Sequence, residues 1–320
     1  METENQGRGT LRWFLRFTLS YGFVIVLVLL TIAMAFTSPG FLTGRNIMNL
    51  LRQISITGIA ALGATFVILI GEIDLSVAST IALGGVIFAS LQFVMPVIFA
   101  MLLSLAFCTF IGVLNGLITT KAKVASFAVT LGMMGFVRGL ALLYANGRPI
   151  YGFSNAARWI GRAEVGPIPI PIVLLFLTLI VTYYVLRFTR YGRQVYAVGG
   201  NEDAAFLGGI NVHRVKIVAF SLASFLAGLG GIIMSARLGS GEPIAAQGYE
   251  FDVIASVVIG GTSLRGGIGT VQGTLLGALL MGVIVNGLNL QGVNPYWQQI
   301  VKGLIIVGAV IIDRQKRRLG

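Results

Sequence analysis

Between residues 18 and 312 the sequence breaks into about ten continuous apolar runs, near 18–36, 54–71, 75–93, 95–119, 124–144, 168–186, 215–235, 251–263, 270–290 and 298–312. A helix needs about 20 mostly apolar residues to cross the hydrocarbon layer of a bilayer, and most of these runs have that length. The expected fold is therefore all-α, a polytopic helical membrane protein of about ten transmembrane segments. The eighth run is short and predicts a broken or re-entrant segment, which leaves eight full spans as the lower count. Composition excludes a water-soluble core, because 56% of the 320 residues are apolar and the mean hydropathy is +0.90. A transmembrane β-barrel would alternate apolar and polar residues in segments of about ten, and these continuous runs do not alternate.

The first run follows Arg8, Arg12 and Arg16 and contains Ala33-Met34-Ala35, a small-x-small pattern of the kind found at signal cleavage sites. The apolar run is longer than a signal-peptide core, so it reads as an uncleaved anchor. Basic residues favour the cytoplasmic side of a membrane and so orient the chain. With the N-terminus inside, ten alternating spans place Arg8, Arg12, Arg16, Lys121, Lys123, Arg187, Arg190, Arg193, Arg214, Lys216, Arg265, Arg314, Lys316, Arg317 and Arg318 in the cytoplasm. Arg45, Arg52, Arg148, Arg158, Arg162 and Arg237 fall outside. Both termini come out cytoplasmic. The net charge of +12 follows from this topology and requires no nucleic acid. Cys108, the single cysteine, lies in an apolar run and can build neither a disulfide framework nor a metal site.

The most polar interruption, GGNEDAAFLGGINVHRVK from Gly199 to Lys216, falls in the longest cytoplasmic loop, 187–216. Its residues spell a short helix. Asn201 is an N-cap, Glu202 and Asp203 put negative charge in the first turn, and Ala204, Ala205, Phe206 and Leu207 continue it. Gly208-Gly209 stops it, with Ile210 as the hydrophobic contact behind the stop. Such a helix either links two spans or enters a groove on another protein.

What is missing narrows the function. None of the five lysines is followed by Ser or Thr, so no phosphate-binding G-x-x-x-x-G-K-[ST] loop exists. The single His213 lies in the basic loop, and no nucleophile, base and acid converge. A transporter is the leading class, and any ATPase that energises it must be a separate subunit. A membrane-embedded enzyme is a distant alternative. An ion-coupled secondary transporter, with Glu72 and Asp74 as a relay, is the nearer one.

Four stretches carry a resemblance that covers nearly the whole chain: Ile73-Asp74-Leu75-Ser76-Val77; Gly199-Gly200-Asn201-Glu202 continuing to Gly209-Ile210-Asn211; Gly248-Tyr249-Glu250 through Asp252; and Gly260-Gly261-Thr262-Ser263-Leu264 with Gly266-Gly267 and Gly269. In this order and spacing the chain resembles the membrane permeases of bacterial ABC importers for monosaccharides, of the ribose type. The resemblance implies a single permease domain over residues 1–320, in the bacterial cytoplasmic (inner) membrane, that takes up ribose or a related pentose or hexose by alternating access. It implies that the 187–216 loop is a coupling loop, in which Gly200, Asn201, Glu202, Asp203, Ala204, Ala205, Phe206, Leu207 and Gly208 dock on a cytoplasmic ABC ATPase. Glu202, Ala204 and Gly208 match the family's "EAA" motif, while Asp203 replaces an alanine. The implied partners are that ATPase, an external sugar-binding protein, a second permease copy as a homodimer, and membrane lipid. No cofactor is expected on this chain; ATP and Mg belong to the ATPase.

Within GEIDLSVAS, Asp74, Ser76 and Ser79 cap the following helix or, in the functional reading, Asp74 and Ser76 line or gate the sugar pathway. The family most often has glycine where this chain has Glu72 and Ala78. Asn115, Gln272, Asn286 and Asn289 lie in or beside spans, with Tyr296 and Trp297 close behind. Such amides either bind sugar hydroxyls or hold helices together. The echo between IGVLNGL at 111–117 and MGVIVNGL at 281–288 favours a pathway through Asn115, Asn286 and Asn289 at a repeat interface. Gly112/Gly116, Gly135/Gly139 and Gly269/Gly273/Gly277 are small-x-x-x-small pairs that predict close helix contacts. Arg138 and Lys302, inside spans, predict an acidic contact such as Asp74 or Glu250, or snorkelling. The proline-rich segment 145–171 is expected to be a solvated external face that, with 237–250, meets the binding protein.

Overall fold

The computed structural model of the chain describes residues 24–319, with side chains described as far as residue 311. Arg8, Arg12 and Arg16 lie outside the described residues, as do the side chains of Arg314, Lys316, Arg317 and Arg318. The apolar runs become helices in the expected order: α1 (Val24–Thr37), α2 (Gly44–Leu69), α3 (Val77–Leu91), α4 (Val97–Lys121) and α5 (Ser126–Tyr144), then α7 (Ile170–Phe188), α10 (Val212–Leu238), α11 (Tyr249–Ile259), α12 (Val271–Leu290) and α13 (Pro295–Leu319). Between them lie α6 (Asn155–Arg162), α8 (Arg190–Gly200) and α9 (Glu202–Leu207). Six helices, α2, α4, α5, α7, α10 and α12, are long and apolar enough to cross a membrane. The eighth run is only the 11-residue α11, as its length predicted. The third shortens to 15 residues because the chain is non-helical from Gly71 to Ser76.

Helix α10 is the centre of the bundle, packed on α2, α3 and α4. Small residues make that possible. A Cβ on Gly116 would come within 2.6 Å of Ile217 Cα, and one on Gly84 within 3.0 Å of Gly228 Cα, so α4 and α3 lie backbone to backbone against α10. Gly273 and Gly277 bring α12 equally close to Gly260 and Ser256 of α11. Gly135 and Gly139 behave otherwise, since among the described residues nothing lies within 4 Å of their Cβ positions. They lie on the outer surface of α5, which sequence spacing could not distinguish from an inner one.

The packing also repeats. Helix α10 contacts α3 and α4 as α2 contacts α11 and α12, and α3 meets α5 as α11 meets α13. The echo of Asn115 on α4 and Asn286 on α12 thus falls on equivalent helices of the two halves.

Loops gather at two ends. At one, the Gly267 N–H donates to the Leu69 carbonyl at 2.8 Å and Tyr196 Oη donates to the Gly269 carbonyl at 2.8 Å, which ties α8 and the 260–270 loop to the end of α2. At the other, the 145–171 segment folds into a cap whose Arg148, Arg158, Arg162 and Glu164 are exposed, as expected of a solvated face. Strand β1 (Ile150–Tyr151) pairs antiparallel with β4 (Ser240–Gly241), and β2 (Glu164–Val165) pairs with β3 (Ile168–Pro169). Arg162 donates to the carbonyls of Arg237 and Leu238 at 2.8 and 3.0 Å, capping the C-terminus of α10, and Arg52 pairs with Glu164. Arg162 satisfies backbone carbonyls, a role that charge counting alone does not reveal.

Candidate functional site

The Gly199–Lys216 insert folds as its residues dictate. Asn201 Oδ1 accepts the Ala204 N–H at 2.9 Å, opening the six-residue α9. The Gly208 N–H returns to the Ala204 carbonyl at 2.9 Å, and Ile210 N–H to that of Ala205 at 3.0 Å. Gly209 sits at φ +81°, a left-handed conformation that costs a residue with a Cβ roughly 1–2 kcal/mol. Ala205 faces the bundle, while Phe206 and Leu207 are 67% and 84% exposed. Two large apolar side chains thus project from a short, well-capped helix, the form of a surface that is covered by something else.

Helix α9 is wired to the membrane part by one cation. Lys216 Nζ stands 2.7 Å from Glu72 Oε1 and 2.9 Å from Glu202 Oε2. Glu202 therefore turns inward to Lys216 rather than standing free for a basic group on another protein; only Asp203 keeps that freedom. Glu72 begins the non-helical link between α2 and α3. Farther along this link Asp74 accepts the Ser76 N–H at 2.8 Å and Oγ–H at 2.6 Å, and Asn115 Nδ2 donates to Ser76 Oγ at 2.9 Å. The start of α5 holds the same link, with Ser126 Oγ accepting from Ile73 N–H and Thr130 Oγ1 donating to the Ile73 carbonyl. Asp74, Ser76 and Asn115 are all buried in this conformation; their hydrogen bonds close the link on itself and tie it to α4, and the N-cap residue Ser76 makes no side-chain cap bond to α3.

The other amides lie elsewhere. Asn286 and Asn46 exchange two hydrogen bonds at 2.9 and 3.0 Å, joining α12 to the start of α2, and Asn289 Oδ1 accepts from Gln298 Nε2 at 2.8 Å. Asn46 is near the start of α2 and Glu72 just past its end, 26 helical residues apart, so Asn115 and Asn286 serve opposite ends of the bundle. They do not form one sugar site in this conformation. The echo is a repeat of packing positions, each turned to a different local partner.

A family model described as the permease component of branched-chain amino acid transport systems matches residues 46–310. The chain belongs to this permease family. The permease is 44% identical over 299 residues to the ribose import permease protein RbsC of Escherichia coli (strain K12), covering 92% of this chain and 93% of that one. It is 45% identical over 294 residues to the RbsC of Bacillus subtilis (strain 168), with 91% of each chain covered. It is 37% identical over 310 residues to the L-arabinose transport system permease protein AraH of Escherichia coli (strain K12), covering 93% and 91%. No solved structure matches it. The permease is a multi-pass helical transport subunit of the cytoplasmic (inner) membrane and not itself an enzyme.

Several polar groups of the permease were not assigned from sequence. Lys216 read only as one more cytoplasmic charge, because its two acids lie 144 and 14 residues away. Lys302 pairs with Asp252 at 2.7 Å, joining α13 to α11, rather than with Asp74 or Glu250. Arg138 donates to the carbonyls of Pro243 and Ala245 at 2.8 and 2.9 Å, pinning the loop between β4 and α11. A charge inside an apolar run signals that a partner exists; only the packing names it.

Proposed function

We propose that this chain is the membrane subunit of an ATP-driven importer for a monosaccharide, ribose or a related pentose or hexose, working by alternating access. The observation that carries the reading is the α9 joint. A short helix with exposed Phe206 and Leu207 is anchored through Glu202, Lys216 and Glu72 to the break between α2 and α3. A push on α9 by a cytoplasmic ATPase that closes around ATP and Mg is delivered through those ion pairs to the link that leads into α3. The residues Gly200 to Gly208 form the docking element, and docking rests on apolar contact. Asp74, Ser76 and Asn115 are the groups that this movement opens toward the pathway, while Asn286 and Asn289 serve the opposite mouth. The chain itself binds no cofactor in this scheme.

The sugar class is supported by relatives named for ribose and arabinose that align along almost the whole chain, against a family description that names branched-chain amino acids. The topology that fits is one of about ten segments with both termini and the 187–216 loop cytoplasmic. The grouping of Glu72, Arg265 and that loop at one end, with Arg52, Arg162 and Arg237 at the other, supports it. Two copies of the permease, a pair of ATPases and an external sugar-binding protein on the 145–171 and 237–250 face complete the assembly. An ion-coupled relay through Glu72 is disfavoured, because Glu72 is held by Lys216.

The test is uptake of radiolabelled ribose, arabinose and leucine by proteoliposomes holding the permease, its ATPase and its binding protein. Sugar uptake that stops with a catalytically dead ATPase and with Leu207→Asp supports the reading. Leucine uptake in place of sugar, or sugar uptake driven by a proton gradient without ATP, overturns it.

A further inference from the structure

The end of α7, the face of α8 and the start of α12 border an open cavity of about 530 Å³. Its lining is cationic. Arg187 and Arg193 border it, no acid does, and neither arginine is in an ion pair among the described residues. Tyr183 and Tyr196 add hydroxyl groups and Gln272 an amide. The 20-residue α12 begins here; Thr270 Oγ1 accepts the Gly273 N–H at 3.1 Å, and the other N–H groups of the first turn lack intrahelical partners and carry the positive dipole end. Two guanidinium groups and a helix N-terminus around one cavity form a receptor for a phosphate-type anion.

A separate feature gives the level of the cavity in the membrane. Phe176, Leu177, Ile180, Val181 and Tyr184 are exposed along α7, forming an apolar strip on the helix whose last turn borders the cavity. At its end Phe188 packs against Tyr183 and Tyr184, with ring centroids 6.0 and 5.6 Å apart. Exposed Tyr and other aromatic rings at the end of a span mark the headgroup level. The cavity therefore opens where an apolar strip meets an aromatic belt.

We propose that this cavity is a binding site for the phosphate headgroup of an anionic glycerophospholipid, with the acyl chains lying along the exposed strip of α7. Soluble phosphate shares the headgroup chemistry, but the adjoining strip accommodates a lipid tail and gives free phosphate nothing. The bound lipid braces the coupling end, because Tyr196, in the cavity wall, also ties α8 to the 260–270 loop through Gly269. This inference rests on the membrane reading and is independent of which solute is carried.

The experiment uses the full chain purified in detergent, with thermal unfolding followed as phosphatidylglycerol, phosphatidylcholine or inorganic phosphate is titrated. Phosphatidylglycerol is expected to raise the midpoint saturably and phosphatidylcholine not. Arg187→Ala with Arg193→Ala should weaken the phosphatidylglycerol effect roughly tenfold or more. Arg187→Lys with Arg193→Lys should keep most of it, and Arg190→Ala with Arg214→Ala, exposed elsewhere on the same face, should leave it unchanged. Should the double alanine variant not fold, Arg193→Gln and retention of lipid in native mass spectrometry give the same reading. Equal stabilisation by the two lipids, an undiminished effect in the cavity variants, or arginine-dependent stabilisation by inorganic phosphate alone would overturn the lipid site.

Discussion

Lys216 Nζ lies 2.7 Å from Glu72 Oε1, and this contact joins the second turn of α10 to the link just past α2 across 144 residues. Both side chains are mostly buried, whereas Glu202, the second acid on Lys216, is 53% exposed. The two ion pairs on one lysine therefore differ in kind.

Removing the lysine should be far worse than removing the exposed acid. Lys216→Met strands the buried Glu72 carboxylate and is expected to cost about 3–5 kcal/mol, whereas Glu202→Gln should cost at most ~1 kcal/mol. Thermal unfolding of the purified variants in detergent measures the difference. Equal losses would mean that the pair carries no stability of its own. Lys216→Met with Glu72→Gln should regain part of the loss, since no unpaired charge remains.

Phe206→Ala and Leu207→Ala should separate binding from folding. Both side chains are exposed, so the unfolding midpoint should barely move. Apolar anchors at the centre of an interface contribute about 2 kcal/mol or more each, so affinity for the ATPase should fall roughly 30-fold for either single variant. Surface plasmon resonance between the permease and its ATPase is the measurement. Unchanged affinity would reduce α9 to a connector.

The Asn46–Asn286 pair predicts a coupling energy. Two reciprocal amide hydrogen bonds between membrane helices should give a double-mutant-cycle interaction of about 0.6–1.7 kcal/mol for Asn46→Ala and Asn286→Ala. A value near zero would show that both amides find other partners when one is lost.

Glycines of the same spacing should diverge on substitution. Gly116→Ala drives a methyl group into Ile217 and is expected to destabilise by about 1–3 kcal/mol. Gly139→Ala meets no atom within the chain and should be neutral or stabilising by up to ~1 kcal/mol. A large loss at Gly139 would locate a contact with a second copy on that face of α5.

How far the sequence reached is clearest in α9 and Lys216. Asn201, the two acids after it, Gly208-Gly209 and Ile210 act on neighbours within a few residues, so capping chemistry alone predicted where the helix starts and stops. Lys216 acts on Glu72, and nothing local in the sequence connects them. The same division holds for Asp252 and Lys302, and for Arg162, which is exposed as expected and also caps the carbonyls of α10.

Sequence by itself determined what the membrane and the backbone demand. Long apolar runs must become helices because hydrocarbon offers no hydrogen bonds, and a break of six or seven polar or glycine-containing residues must end them. It also supplied the family, through four motifs in order. The tertiary structure decided which glycine faces meet a helix, which amides pair, which charges are compensated, and that the 145–171 segment is a folded cap. Those outcomes depend on which surfaces close packing brings within about 3 Å, a long-range property that periods of three or four residues along a chain do not encode.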